Sequence, residues 1–304
     1  MYYLLYGFLY LLSLLPLRVL YFIGDGIYGL LYYIIKYRRP VVMANLTIAF
    51  PEKTEAEKTI IAKEFYHSFV DTFIEVVKMV SMSAGESMRR VTGDYSSFDE
   101  AYQSGKSIAL HAMHNFNWEL VQWTVARKIK YPFLGAYKPI SNQALNTFFY
   151  KLRSKYGTIL LPTNDFKRHF LKYSSEKYIT GLAADQNPGT LKSVYWAGFF
   201  NTPTAFMAGP EKGARTNDTA VMFVNFYKVK RGHYHFTAKL ITTDPRALPE
   251  GELTLLFIRF VEECIRKNPA NYLWSHKRWK HAWKEEYAPL WVCNEQPAPV
   301  PVVV

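Results

Sequence analysis

The stretch His111-Ala-Met-His114-Asn-Phe-Asn-Trp-Glu119 gathers two imidazoles and one carboxylate between an apolar run and a helix-forming run. On one continuous helix, His114 and Glu119 would point about 140° apart and never meet. A strand-to-helix turn between them changes this. It puts His114 in the turn and Glu119 in the first helical turn, facing back and favoured by the helix dipole. A carboxylate on one imidazole nitrogen fixes the tautomer and leaves the other nitrogen free as a base. The residue types also fit a surface histidine beside an ordinary first-turn glutamate, and taken alone they leave both readings open. His111 and His114 lack the i,i+4 spacing of a zinc-binding helix, so no metal site is expected.

The elements that must hold this turn read as follows. Residues 107–111 form a short apolar strand, and Asn117 to Lys128 a helix. Thr54 followed by Glu57 is a capping-box pattern that opens a helix running to about Met79. Phe65, Phe69, Phe73, Val76 and Val77 give that helix one apolar face. A helix over 143–156 ends at Gly157, and strands follow at 158–161 and 178–183, the latter stopping at Asp185. Residues 219–228 and 234–242 read as two further strands, and 253–267 as a helix. Strands alternating with helices predict an α/β sheet with covered faces. The tail, 296–304, is rich in Pro and Val and reads as extended.

The first 35 residues carry only Arg18 and Asp25 as charged groups, and the segment is broken by Gly24-Asp25-Gly26. It lacks the basic start and small-residue cleavage site of a secretion signal. The expectation is a membrane anchor over 1–39, either one spanning helix followed by an interfacial helix or a helical pair lying in the interface. Lys36, Arg38 and Arg39 follow directly and belong beside anionic headgroups on the cytoplasmic side. A net charge of +12 favours anionic partners of any kind. Aromatics at 17% fit either a membrane interface or an aromatic core. From Arg266 to Lys284 the chain holds six Lys/Arg, three Trp and no carboxylate. Stacking rings and cations suit nucleic acid, but the apolar N-terminus favours lipid, with Arg278 and Lys280 on headgroups. Cys264 and Cys293 form no CxxC or zinc spacing.

The 114–119 stretch resembles the HxxxxE/D motif of glycerolipid-type acyltransferases, in the His-x-x-Asn-Trp-Glu form of the lipid A late acyltransferases. The resemblance extends over nearly the whole chain. It includes Asn45-Leu-Thr-Ile-Ala-Phe-Pro51, Leu152-Arg153-Ser-Lys-Tyr-Gly157, Asp185-Gln186, the segment from Tyr195 to Pro203, and Pro269-Ala-Asn-Tyr-Leu-Trp274 through Arg278-Trp279-Lys280. One departure is Asn115-Phe116, where the family usually has Phe-Gly.

The resemblance implies a mixed sheet flanked by helices, with the acyltransferase domain at 40–295. It implies transfer of a fatty acyl chain from a thioester to a hydroxyl of a lipid A precursor at the inner membrane, on its cytoplasmic face. His114 would be the base and Glu119 its partner, with Arg153, Asp185, Gln186, Asn117 and Trp118 binding substrate. The donor would be acyl carrier protein or acyl-CoA, as co-substrate rather than cofactor. The acceptor would be a glycolipid among membrane lipids, and nucleic acid is not expected. No Ser sits in a GxSxG elbow, so direct transfer without an acyl-enzyme is the simpler chemistry. Alternatives are an acyl-CoA-dependent enzyme for another glycolipid or an aminolipid, a lipid hydrolase using the same pair, and a membrane-tethered basic binding protein.

Overall fold

Two apolar helices open the chain, α1 (Tyr2–Ser13) and α2 (Leu17–Gly29), in a computed structural model that describes residues 1–292. A π-helical turn, Leu30–Ile34, extends α2, and Pro16 lies at the break before it. α3 (Arg39–Ala49) carries Pro40 in its first turn, where a missing N–H is harmless. α4 (Glu55–Met79) starts on the expected capping box, Thr54 with Glu57. α5 (Ala84–Arg90), β1 (Val91–Gly93) and α6 (Ser96–Gln103) lead to β2 (Ile108–Ala112) and α7 (Trp118–Lys128). Next come β3 (Phe133–Tyr137), α8 (Gln143–Ser154), β4 (Ile159–Pro162), α9 (Phe166–Phe170) and β5 (Ile179–Ala183). The hairpin β6 (Val194–Phe199) and β7 (Thr202–Met207) precedes α10 (Gly209–Asn217), β8 (Ala220–Lys230), β9 (His233–Thr242) and α11 (Glu252–Lys267).

The seven-stranded sheet runs β1-β9-β8-β2-β5-β3-β4. From β8 to β4 every neighbour is parallel, and β9 turns back antiparallel on β8 with β1 beside it. The two-residue period of a strand splits β2 between two cores. Ile108 and Leu110 face the core beneath α7, while Ala109 joins the core formed with α3, α4 and α11. Both faces are covered, as a parallel sheet requires. The expected α/β class therefore holds. Strands β1, β3, β6 and β7 escape the sequence pattern. β3 is short and contains Gly135 and Ala136, which carry little strand signal. The β6–β7 hairpin turns at Phe200 and Asn201, both at positive φ, and only the Asn is a usual residue there.

Phe73 is a correction to the predicted face of α4: it is half exposed, while Val70 and Ile74 are buried against the N-terminal helices. Gly24 allows that approach, since a Cβ there would stand 3.1 Å from Ile74.

No single helix is long and apolar enough to cross a membrane, and α1 and α2 with its extension are bent by 111°. Both pack on the domain. Leu20, Tyr28 and Tyr32 are buried, and Asp25 pairs with Arg231 at 2.6 Å. Their outer sides stay apolar and open, with Tyr3, Leu4, Phe8, Leu11, Phe22 and Ile34 exposed. The Pro/Val tail at 296–304 and Cys293 lie outside the described residues.

Candidate active site

β2 and β5 are adjacent and parallel, with Ala112 opposite Ala183. Two residues beyond each of those alanines stand His114 and Asp185, so strand register alone brings them level at the C-terminal edge of the sheet. That edge is where open parallel sheets place their functional groups. His114 Nδ1 donates to Asp185 Oδ1 at 2.7 Å. The Asp185 side chain is 1% exposed and that of His114 is 25% exposed. The carboxylate thus anchors the ring from inside, and Nε2 has no hydrogen-bond partner among the described residues.

The turn carrying His114 is laced to the segment after α11. His114 O accepts from Leu273 N at 3.2 Å, and Phe116 N donates to Asn271 O at 3.2 Å. Asn115 Nδ2 donates to Asn225 Oδ1 at 2.8 Å and to Phe226 O at 3.0 Å. Asn271 Nδ2 reaches the same Phe226 carbonyl at 2.8 Å. Phe116 is fully buried between Phe65, Phe69 and Trp118. Asn115-Phe116, the departure from the family pattern, is therefore one polar anchor and one core residue.

Burial acts to raise the Asp185 carboxyl, but the His114 charge and hydrogen bonds outweigh it and hold it below the usual carboxylate range. Burial pushes His276 down to about 4, which keeps this ring neutral, and its Nε2 accepts from Asn187 N at 3.0 Å. Tyr272 and Arg278 are buried close enough to feel the Asp185 charge.

Glu119 stands differently from the sequence expectation. It lies in the first turn of α7, as predicted, but its carboxylate is held by Arg153 and Trp118 and not by His114. Arg153 Nε donates to Glu119 Oε2 at 2.9 Å and Nη2 to Oε1 at 2.5 Å. The carboxylate on the His114 ring is Asp185. The reason is register: a neighbouring parallel strand presents its end residue level with His114, whereas Glu119 points toward α8, where Arg153 lies. Burial disfavours the Arg153 charge, but the bond to Glu119 and its charge prevail and raise its affinity for the proton. Arg153 Nη1 has no hydrogen-bond partner among the described residues. Trp118 Nε1 donates to Glu119 Oε1 at 3.0 Å, and its ring stands edge-on to His114 with centroids 6.0 Å apart.

Asn117, expected among the substrate-binding residues, is a correction. It is fully buried and caps α7, its Oδ1 accepting from Glu119 N and Leu120 N while Nδ2 donates to Glu75. Gln186 is half-buried beside Asp185.

The headgroup set divides. Lys36, Arg38 and Lys280 are exposed and Arg39 is half-buried. Arg278 is instead 2% exposed, donates through Nη1 and Nη2 to Ala205 O, and lies over the Phe206 ring at 4.1 Å. It cannot reach a headgroup. Burial pushes its guanidinium down to about 10. The tryptophans of the same stretch are also packed: Trp274 is buried, Trp279 stacks on Phe199 and Trp283 meets Trp196 edge-on. Aromatic interleaving there reflects a core. His111 points away from the site, stacked on Phe223 and edge-on to Phe257.

The sequence missed the pairing of His114 with Asp185, although Asp185 at a strand end was visible. Tyr272, His276 and Glu75 gave no signal of their own.

A family model described as bacterial lipid A biosynthesis acyltransferase matches residues 1–281. The chain is 26% identical over 291 residues to a lipid A biosynthesis lauroyltransferase of Escherichia coli (strain K12), covering 90% of this chain and 89% of that protein. It is 22% identical over 279 residues to a lipid A biosynthesis palmitoleoyltransferase of the same strain, and equally to a lipid A biosynthesis acyltransferase of Shigella flexneri, again covering 90% of this chain and 89% of each.

Proposed function

Because the chain belongs to the bacterial lipid A biosynthesis acyltransferase family, we propose that this acyltransferase moves a fatty acyl chain from a thioester donor to a hydroxyl of a lipid A precursor. The observation that carries the reading is the 2.7 Å contact between His114 and Asp185 at the ends of adjacent parallel strands.

In this reading Asp185 keeps the proton on Nδ1, so Nε2 is the base. The acceptor hydroxyl gives its proton to Nε2 as its oxygen attacks the thioester carbonyl. The tetrahedral intermediate collapses with loss of the thiolate, which recovers the proton from the imidazolium. The ester forms, the C–S bond breaks and His114 ends neutral. General-base assistance of this kind is worth about 10²–10⁴-fold. The imidazolium that forms midway is stabilised by a carboxylate already held ionised. Glu119 and Arg153 form the neighbouring wall, and Nη1 of Arg153 is offered to an anionic group of the substrate, for which a guanidinium edge is suited.

The exposed apolar sides of α1 and α2 support membrane association. Their 111° bend and their packing on the domain favour helices lying in the interface over a span. The acceptor's chains then stay in the bilayer while its headgroup reaches His114, and Lys36, Arg38 and Lys280 face lipid phosphates. An acidic carrier or acyl-CoA donor is steered by the same positive charge.

Mass spectrometry of lipid A from a strain lacking this protein, with no second copy, tests the proposal. Loss of one ester-linked acyl chain is expected. Unchanged lipid A with another glycolipid or an aminolipid short of a chain would overturn the acceptor. No change in any lipid would overturn the whole reading.

A further inference from the structure

Glu75 is, with Glu211, among the most enclosed carboxyls of the described residues, and the chemistry above does not use it. It is 1% exposed on α4, and no Lys or Arg touches its oxygens among the described residues. Three donors from three elements converge on it instead. Tyr21 of α2 donates to Oε1 at 2.8 Å. Tyr234 of β9 and Asn117 of the catalytic turn donate to Oε2 at 2.7 and 2.9 Å.

The Asn117 contact decides which way that amide faces. With Nδ2 drawn to Glu75, Oδ1 must face the start of α7, where it accepts from Glu119 N at 3.0 Å and Leu120 N at 3.2 Å. Those are two of the otherwise unpaired N–H groups that open a helix. Asn117 lies three residues after His114 and two before Glu119. Fixing its amide therefore fixes where the helix begins and how the turn leaves His114.

Tyr21 sits in the apolar N-terminal segment, on the helix whose Val19, Phe22 and Ile27 are exposed. The neighbouring polar groups serve a separate purpose. Arg231 covers the Tyr21 ring at 4.2 Å and pairs with Asp25 and Asp71, which clasps α2 to α4 without touching Asn117.

We propose that Glu75 is a positioning residue for acyl transfer, which locks the amide of Asn117 and so ties the catalytic turn to the apolar helix α2. The inference rests on the acyltransferase reading of His114.

The test uses the full-length protein in detergent micelles, with kcat and KM measured beside thermal melting. Asn117→Asp keeps the capping oxygen but sets a second carboxylate against Glu75. It should lower kcat by about 10²-fold with KM changed less than about 3-fold. Glu75→Gln should stay within about 5-fold of wild type, because a turned amide offers its oxygen to Asn117 and its NH₂ to Tyr21. The pair Glu75→Gln with Asn117→Asp reverses donor and acceptor, and should recover at least about 10-fold of the loss in kcat. Arg231→Met should lower the melting temperature with kcat unchanged.

The proposal is overturned if folded Asn117→Asp keeps wild-type kcat, if the double variant is no better than Asn117→Asp, or if Arg231→Met loses as much kcat as Asn117→Asp. Should Asn117→Asp fail to fold, the double variant against Glu75→Gln alone decides: near-equal kcat supports the lock and a 10²-fold gap overturns it. An inactive wild-type protein would instead sink the acyltransferase reading, which separates the two failures.

Discussion

His114 and Asp185 meet at 2.7 Å because each stands two residues past a cross-strand pair, Ala112 with Ala183, at the end of adjacent parallel strands. Backbone hydrogen bonding, rather than a flexible loop, sets this distance. The carboxylate is buried and the ring is partly open, which is the order a base needs: orientation from within, substrate from without.

Asp185→Asn should therefore lower kcat by about 10²–10⁴-fold with KM little changed, since the amide can also donate and stabilise the wrong tautomer. Glu119→Gln should cost less, because its oxygen can still accept from Arg153 and Trp118. Steady-state kinetics on both variants checks this ranking. A larger loss in Glu119→Gln than in Asp185→Asn would return the role of orienting carboxylate to Glu119.

The difference between sequence and structure here is instructive. His114 in a turn, Glu119 in a first helical turn and Asp185 at a strand end were all legible from local pattern. Their pairing was not, because it depends on β2 and β5 being neighbours, with β3 and β4 added outside β5. That order is a property of the whole sheet. Arg278 failed for a related reason. A cation among tryptophans reads as an interfacial patch, yet the Ala205 carbonyl and two Phe rings hold it in the core.

Arg153 and Glu119 should behave as one unit. Arg153→Met leaves a buried carboxylate without its cation and should cost about 3–5 kcal/mol of stability. Adding Glu119→Leu should restore most of it. Denaturant melts of the two single variants and the double variant measure the coupling, and additive losses would contradict it.

His111 predicts a pH dependence of stability. Burial pushes its imidazole down to about 4, from an ordinary 6.5. Between those values the unfolded chain takes up a proton that the folded protein does not, so stability falls as pH is lowered through that window. At about 1.4 kcal/mol for each pH decade, the contribution is roughly 3 kcal/mol. His111→Leu should lose less stability than wild type between about pH 7 and pH 4. Equal slopes for the two proteins would count against it.

Arg278→Met and Lys280→Ala should separate packing from surface charge. The first should lower the melting temperature and leave binding to anionic vesicles unchanged, because the guanidinium is enclosed. The second should leave the melting temperature unchanged and weaken vesicle binding at low salt, by about 1 kcal/mol or less. Sedimentation with vesicles at two salt concentrations distinguishes them, and a loss of vesicle binding in a folded Arg278→Met protein would contradict the structure.

The central claim is that His114 is the base for acyl transfer. Its most direct measurement is the turnover of purified His114→Ala with an acyl thioester donor and a lipid A precursor, beside a melting curve that reports the fold. The account predicts a protein that still melts cooperatively, at a lower temperature because the buried Asp185 carboxylate loses its partner, and a loss in kcat of about 10²–10⁴-fold. A folded His114→Ala protein that turns over at a rate near wild type would contradict it.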